Sequence, residues 1–388
     1  MAYVEGRTIH DADSHIVETP DFLDPFVPRA VRERMPRLGL SAVRPGEHTL
    51  IDKARADHRD PAYRALDEER IMLRKNWNAT GSFLKEDRPR ALDLLGFASQ
   101  LVFNTFLSKY LDDLEHGDDV ELAYEVAAGH NRALVDFCAA DRRLLATCYV
   151  PLADFGRSRK AAADAIAMGA KALLVPSSCP KHHSPSHTGL FPVWDQAAEA
   201  GVPVLFHVGG GGELLDPMYF ENGLPPIPDF HGGDENFRSV DYMAIPGPPA
   251  QTLATLIFDG VLDRHPQLMF GVIEQGASWV PGWMRMMDSA VAAFSRMEER
   301  LRALSALPSE IVRRQVRVTP YPSEDTGWII REAGEEVCLF SSDYPHVEGG
   351  RNPIRRFEAS IEGLPPAAVE RFYRTNFEEL MGAALSAA

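Results

Sequence analysis

The sequence predicts an α/β fold, a (β/α)8 barrel of the TIM type, and two observations carry that expectation. Eight short apolar runs recur along the 388 residues, most of them followed by a segment of helical periodicity. Near-continuous Val/Ile/Leu runs between helices suit parallel strands covered on both faces. Acidic and imidazole side chains also stand at the carboxyl ends of several runs, where barrel enzymes gather their chemistry. An open doubly wound sheet is the rival. Gly209–Gly212 follows a strand, but without the G-x-G-x-x-G spacing or the Lys-Ser/Thr that cradles a phosphate. These glycines read instead as a tight loop that lets backbone approach the site.

The predicted strands run in order as Thr8–Asp13, Ser99–Phe103, Leu144–Leu152, Ala170–Pro176, Val202–Val208, Leu268–Glu274, Val316–Thr319 and Val337–Ser341. Helical patterns over Ser158–Met168, Phe191–Ala200 and Gln251–Leu262 precede the fourth, fifth and sixth. Residues 16–97, between the first two strands, exceed an ordinary βα loop. Their charged segments Tyr63–Trp77 and Pro89–Leu95 predict a helical insertion that caps the barrel mouth or packs on a partner. A long loop after strand 5, Gly209–Pro249, is rich in Gly and Pro and carries Phe220, Phe230, Phe237 and Tyr242. It is expected to overhang the mouth and shape the substrate pocket. Pro353–Gly382 predicts two helices within a C-terminal part, residues 353–388. No repeat or linker divides the chain, so residues 1–388 read as a single domain.

Composition is that of a globular protein, with 45% hydrophobic and 25% charged residues. A formal net charge of −16 argues against nucleic acid or an anionic membrane as partner. A small anionic substrate stays open, because a bound metal and local arginines reverse the field inside a cleft. No apolar run approaches a membrane span and no signal peptide precedes Asp13, so the sequence predicts a cytoplasmic protein. Cys138, Cys148, Cys179 and Cys338 form no C-x-x-C pair and are expected as free thiols. The expected partners are a small-molecule substrate and further copies of the chain, since helical insertions in large barrels often dimerise.

Asp13 and His15 stand two apart, so on a strand both leave the same face and can converge on one ion. A hard oxygen donor beside an imidazole suits zinc, manganese or iron. His207 ends the fifth run, Glu274 ends the sixth and Asp343 follows the eighth. On a barrel these ends surround one axis, so residues distant in sequence meet there.

Four segments carry a family resemblance: Asp11-Ala12-Asp13-Ser14-His15, Pro203–Gly209, Phe270–Gly276 with Trp279, and Ser341–His346. In that order, the chain resembles the metal-dependent amidohydrolase superfamily, in the branch related to aminocarboxymuconate-semialdehyde decarboxylase. The resemblance implies Asp13, His15, His207 and Asp343 as ligands of a divalent transition metal, zinc or iron/manganese, with Asp343 also handling a proton. Many relatives begin H-x-H or E-x-H, where this chain has Asp13-Ser14-His15. Where the decarboxylases often carry a catalytic His, this chain carries Glu274. An imidazole donates a proton near neutral pH, whereas a carboxylate does so only if its pKa is raised. Glu274 therefore suits a general base or a further ligand; one metal is the default, and Glu274 leaves room for a second.

Other candidates follow by position. Glu18, three after His15, would orient it or face solvent. His346, three after Asp343, would contact substrate or the metal's water. Trp279 and Arg285 would supply a substrate wall and an anion contact, although an Arg in a helical run such as Arg285 is more often a surface pair. His182, His183 and His187 sit in a Ser/Pro/Lys-containing loop and read as solvated. Lys171 stands at the start of the fourth strand rather than at its end, so it is not proposed as a bridging ligand.

The first functional reading is a metal-dependent hydrolase, with metal-activated water cleaving an ester, thioester, amide or lactone of a small carboxylic-acid-type substrate. The alternative is a metal-dependent non-oxidative decarboxylase of an aromatic or unsaturated carboxylic acid. A non-catalytic barrel that only binds is the third.

Overall fold

The computed structural model describes residues 2–35, 47–210, 214–225 and 239–386. Seven parallel strands follow one another in chain order: β1 (His10–His15), β2 (Ser99–Phe103), β3 (Leu144–Tyr149), β4 (Ala172–Leu174), β5 (Val204–His207), β6 (Phe270–Ile273) and β7 (Val316–Val318). The eighth predicted run does not form a ladder. Single bridges join Cys338 to Val318 and Ser14 to Tyr344. Its backbone nevertheless bonds both sheet edges: Leu339 N–H donates to Val318 O, and Ala12 and His15 N–H donate to Phe340 O and Tyr344 O. The arrangement is that of a TIM-type α/β barrel with seven laddered strands. Extended geometry ends at Asp343, whose φ is +52°.

Between the strands lie long helices, including Val120–Cys138, Phe155–Met168, Phe191–Ala200, Val280–Phe294 and Thr326–Ala333. Asp154 caps the second of these through Arg157 N–H, and Gly169, at φ +102°, ends it. Where the sequence predicts one helix over Gln251–Leu262, the chain forms Gly247–Phe258 and Val261–Arg264, divided at Gly260 with φ +77°. The predicted helix Tyr63–Trp77 is likewise broken into Pro61–Arg64 and Asp67–Arg70, and Asn76 takes φ +51°. The tail holds Pro353–Ser360 and then a helical run, Pro366–Glu370, Arg371–Thr375 and Asn376–Met381, whose middle turn is a π-helix. Phe230 and Phe237 lie outside the described residues. Among the described residues no helix is long and apolar enough to cross a membrane. Cys138, Cys148 and Cys338 are buried free thiols, and Cys179 is exposed.

Strand alternation positions the site. Val204 and Phe206 of β5, with Phe270 and Val272 of β6, pack among helix residues such as Trp194 and Ile257. The intervening Leu205 and Ile273 pack instead with Leu101, Leu174, Leu339 and the tail's Leu380 and Met381. His207 continues this second set at the strand end. By the same alternation Glu274 belongs to the first set, and the mouth would be denied its carboxylate. Its φ of +55° breaks the alternation and re-aims the side chain. On β1, the pairing with β2 shifts register between Asp11 and Ser14. His10 stacks on Phe377 of the tail and Ala12 joins the second set, so without the shift Ser14 would follow them inward. The shift turns Asp13 and His15 to the mouth.

Candidate metal centre

Five side chains from four barrel segments converge. His15 Nε2 lies 3.1 Å from Asp13 Oδ1, 3.5 Å from Asp343 Oδ1 and 3.7 Å from Glu274 Oε2. His207 Nε2 lies 3.3 Å from Asp13 Oδ1 and 3.4 Å from Glu274 Oε2. Two overlapping sets each have one ligand atom per residue within 4.8 Å of one another: Asp13, His15, His207 and Glu274; and His15, Glu274, Asp343 and His346. The sequence-predicted ligands thus meet in one place.

The imidazoles are turned for ligation. His15 Nδ1 bonds Asn104 O at 3.0 Å, and His207 Nδ1 bonds Val208 O at 2.9 Å. A carbonyl only accepts, so each Nδ1 carries the proton and each Nε2 keeps its lone pair toward the cluster. Buried polar atoms normally find partners. Here Asp13 Oδ2, His15 Nε2 and Asp343 Oδ2 are buried without a hydrogen bond. Orphaned oxygen and nitrogen donors around one point fit a divalent transition ion. Burial pushes Asp13 up, but the His15 and His207 imidazoles outweigh it and hold its carboxyl below the usual range. Burial, then the charge of His346, lowers His15 to about 3. Asp343 is raised to about 6 by burial, against the pull of His346.

His346 stacks on His15 with ring centroids 3.9 Å apart, and its Nδ1 stands 3.0 Å from Asp343 Oδ1. Thr105 Oγ1 donates its hydrogen to Ile16 O at 2.7 Å, so toward His346 Nε2, 2.8 Å away, it accepts. With Nε2 protonated, Nδ1 faces the Asp343 carboxylate across 3.0 Å, where the two groups can share a proton. The pair can therefore carry a proton beside the cluster.

Several supporting residues were not marked by the sequence. Asp11 accepts from Ser342 N–H (2.7 Å), Ser342 Oγ (2.6 Å) and Gln100 Nε2 (2.7 Å), tying β1 to β2 and to the closing segment. Arg88 is buried and donates to His15 O and Ser14 Oγ, fixing the end of β1. Thr319 Oγ1 accepts from Glu274 N–H and Tyr321 Oη donates to Glu274 O, both at 2.7 Å, clamping the left-handed peptide. Gly349 leaves no room for a side chain behind Asp343, since a Cβ there would meet Ser342 O at 2.0 Å. D-S-H and S-D-Y-P are readable as short motifs, but these contacts join residues whose spacing carries no local pattern. Tyr321→Phe is expected to orphan the Glu274 carbonyl and cost about 1–3 kcal/mol of stability, read as a shifted urea midpoint with unchanged m-value.

Three expectations need correction. Glu18 neither orients His15 nor faces solvent. Its buried carboxylate accepts from the backbone N–H groups of Thr105, Phe106 and Leu107, holding the loop that presents Thr105 to His346. Arg285 is exposed and pairs with Glu332 at 2.8 Å, because its position on Val280–Phe294 faces away from the mouth. Trp279 bonds Gly276 O through Nε1 and packs edge-on to Trp283, so it braces that helix and is not brought to the cluster. His183 and His187 pack on the ring of Phe155 in the loop after β4, and no metal-holding group forms there among the described residues.

A TIM-type barrel with buried imidazoles and carboxylates converging at its strand ends defines the metal-dependent amidohydrolase class of enzyme. The amidohydrolase family profile matches residues 11–382, and the chain belongs to that family. Among solved structures it is similar to an amidohydrolase from Mycobacterium avium subsp. paratuberculosis, with 23% identity and TM-score 0.73, covering 98% of this chain and 100% of that one. It is also similar to 5-carboxyvanillate decarboxylase of Novosphingobium aromaticivorans with bound manganese, at 19% identity and TM-score 0.64, with 97% of each chain covered. A third is 2,6-dihydroxybenzoate decarboxylase from Rhizobium, at 16% identity and TM-score 0.61, covering 97% of this chain and 99% of that one. No curated protein matches the chain at a significant level.

Proposed function

We propose that the chain is a metal-dependent lyase that releases CO2 from an aromatic or unsaturated carboxylic acid. The observation that carries this reading is the pair of overlapping ligand sets, Asp13, His15, His207 and Glu274 with His15, Glu274, Asp343 and His346, in which His346 Nδ1 stands 3.0 Å from Asp343. Support also comes from structural relatives named as decarboxylases, some with bound manganese. Asp13, His15, His207 and Asp343 would hold the ion, with Glu274 within reach of the same point. When bound, the ion supplies positive charge that anchors the substrate's carboxylate and phenolate oxygens. Asp343 then hands its proton to the ring carbon that bears the carboxylate. As that C–H bond forms, the C–C bond to the carboxylate breaks, CO2 leaves and its bonding pair stays on the ring. His346 returns a proton to Asp343 from solvent. The test is CO2 release from a panel of hydroxybenzoates by manganese-loaded protein, and no release from any member would defeat the proposal.

Glu274 favours a second reading, the hydrolysis that the sequence places first. Its carboxylate stands among the ligand atoms, where a relative of the decarboxylase branch often has an imidazole, and it suits a base that takes a proton from water. Glu274→Gln separates the two. Under the lyase proposal the variant is expected to keep its metal and lose less than about tenfold in kcat. A loss of about 10²–10⁴, together with ester or lactone cleavage by the parent protein, would transfer the proton work to Glu274.

A further inference from the structure

Behind the loop that carries Asp343 and His346 lies a solvent-open hollow of about 690 Å³, lined by Lys75 and the exposed Arg351, Arg355 and Arg356 together with Leu73 and Val347. No carboxylate is among its described lining residues. In a chain of net charge −16, four cations around one hollow run against the mean field. Their placement is locally unfavourable as well. Arg351 stands just before the N-cap Asn352 of the helix Pro353–Ser360, so it adds a third guanidinium at that helix's start. Arg355 and Arg356 occupy the first turn of Pro353–Ser360, which holds no acid, at the end where the helix dipole is already positive. The one acid of that helix, Glu358, lies 3.9 Å from Arg7.

The three guanidiniums form no ion pair with a described residue. Lys75 is mostly buried, and its Nζ donates to a neutral acceptor, Gly350 O, at 2.7 Å. The first-turn amides are already engaged, Arg355 N–H with Asn352 Oδ1 and Ile354 N–H with Tyr3 Oη. Side chains, then, are what the cavity offers a ligand. Guanidiniums bind phosphate oxygens in a two-pronged fork, and Leu73 and Val347 add an apolar wall. The volume falls in the range of small-molecule sites.

We infer that this cavity binds a phosphate-bearing anion of the size and charge of a nucleoside diphosphate. The inference is independent of the chemistry proposed for the metal cluster. An occupant would touch the loop 343–350 from behind, since Lys75 and Asn76 already bond Gly350 O and Pro345 O of that loop.

The test is calorimetric titration of the full-length, manganese-loaded protein with ADP, and with pyrophosphate in a parallel arm. A Kd below about 1 mM that weakens with added salt is expected. ADP binding more tightly than pyrophosphate identifies a nucleotide site, and equal affinities identify a site for the phosphates alone; both support the inference. Arg355→Glu with Arg356→Glu is expected to weaken binding at least tenfold with metal content unchanged. Should that pair fold poorly, Arg355→Gln with Arg356→Gln serves, with a smaller loss expected. No heat at millimolar ADP, unchanged affinity in a folded variant, or binding that disappears when the metal is chelated would overturn it.

Discussion

Replacing His207 by Ala is expected to leave the protein folded and without its metal. The imidazole's Nδ1 bonds Val208 O at the very end of β5 and its ring packs on Phe103 at 4.4 Å, a loss at the barrel rim that leaves the core layers in place. Its Nε2 does different work, standing within 3.4 Å of both Asp13 and Glu274. Those carboxylates repel one another once the imidazole is gone, and only an ion held by fewer donors would compensate. Changes to outer-sphere partners of a metal ligand typically cost about 10–100-fold in affinity, so removal of the ligand itself should exceed about 100-fold. Elemental analysis after dialysis should fall from about one metal per chain to a small fraction, with circular dichroism unchanged. Turnover should vanish with it. Full occupancy in a folded variant would show that His207 is not a ligand.

Much of this site was legible in the sequence because barrels place strand ends on one circle. Asp13, His15, His207, Glu274 and Asp343 each end or follow an apolar run, and the structure brings all five together. What alternation could not supply was aim. Period-two logic turns Glu274 away from the mouth, and it is the left-handed φ values of Glu274 and Asp343 that point them inward. Such values are unfavourable for residues with side chains and persist only where neighbours hold them. Thr319 and Tyr321 do so for Glu274, and neither could be linked to it from 45 or 47 residues away. The same applies to Arg88, which holds β1 through His15 O and Ser14 Oγ although it belongs to the inserted segment. Trp279 and Arg285 lie away from the ligand cluster for a related reason. Proximity to β6 in sequence says nothing about which side of the following helix a residue occupies.

Asp343→Asn should abolish the proton step while keeping the ion. Asn is nearly isosteric and retains one oxygen toward the cluster, and Asp13, His15 and His207 remain to bind. What disappears is the proton shared with His346 across 3.0 Å, because an amide oxygen is far less basic than a carboxylate. General acid catalysis contributes about 10²–10⁴-fold, and kcat for CO2 release is expected to fall by that amount with KM little changed. Metal content read alongside separates this loss from ligand loss: His207→Ala should lose both, Asp343→Asn only turnover. A second readout follows the atom itself. In D2O the parent protein should place one deuterium on the carbon that lost the carboxylate, and the variant should do so at the reduced rate. Turnover within about tenfold of the parent, metal retained, would move the acid elsewhere. Glu274 is then the carboxylate to test next as the acid of the same lyase reaction, through Glu274→Gln.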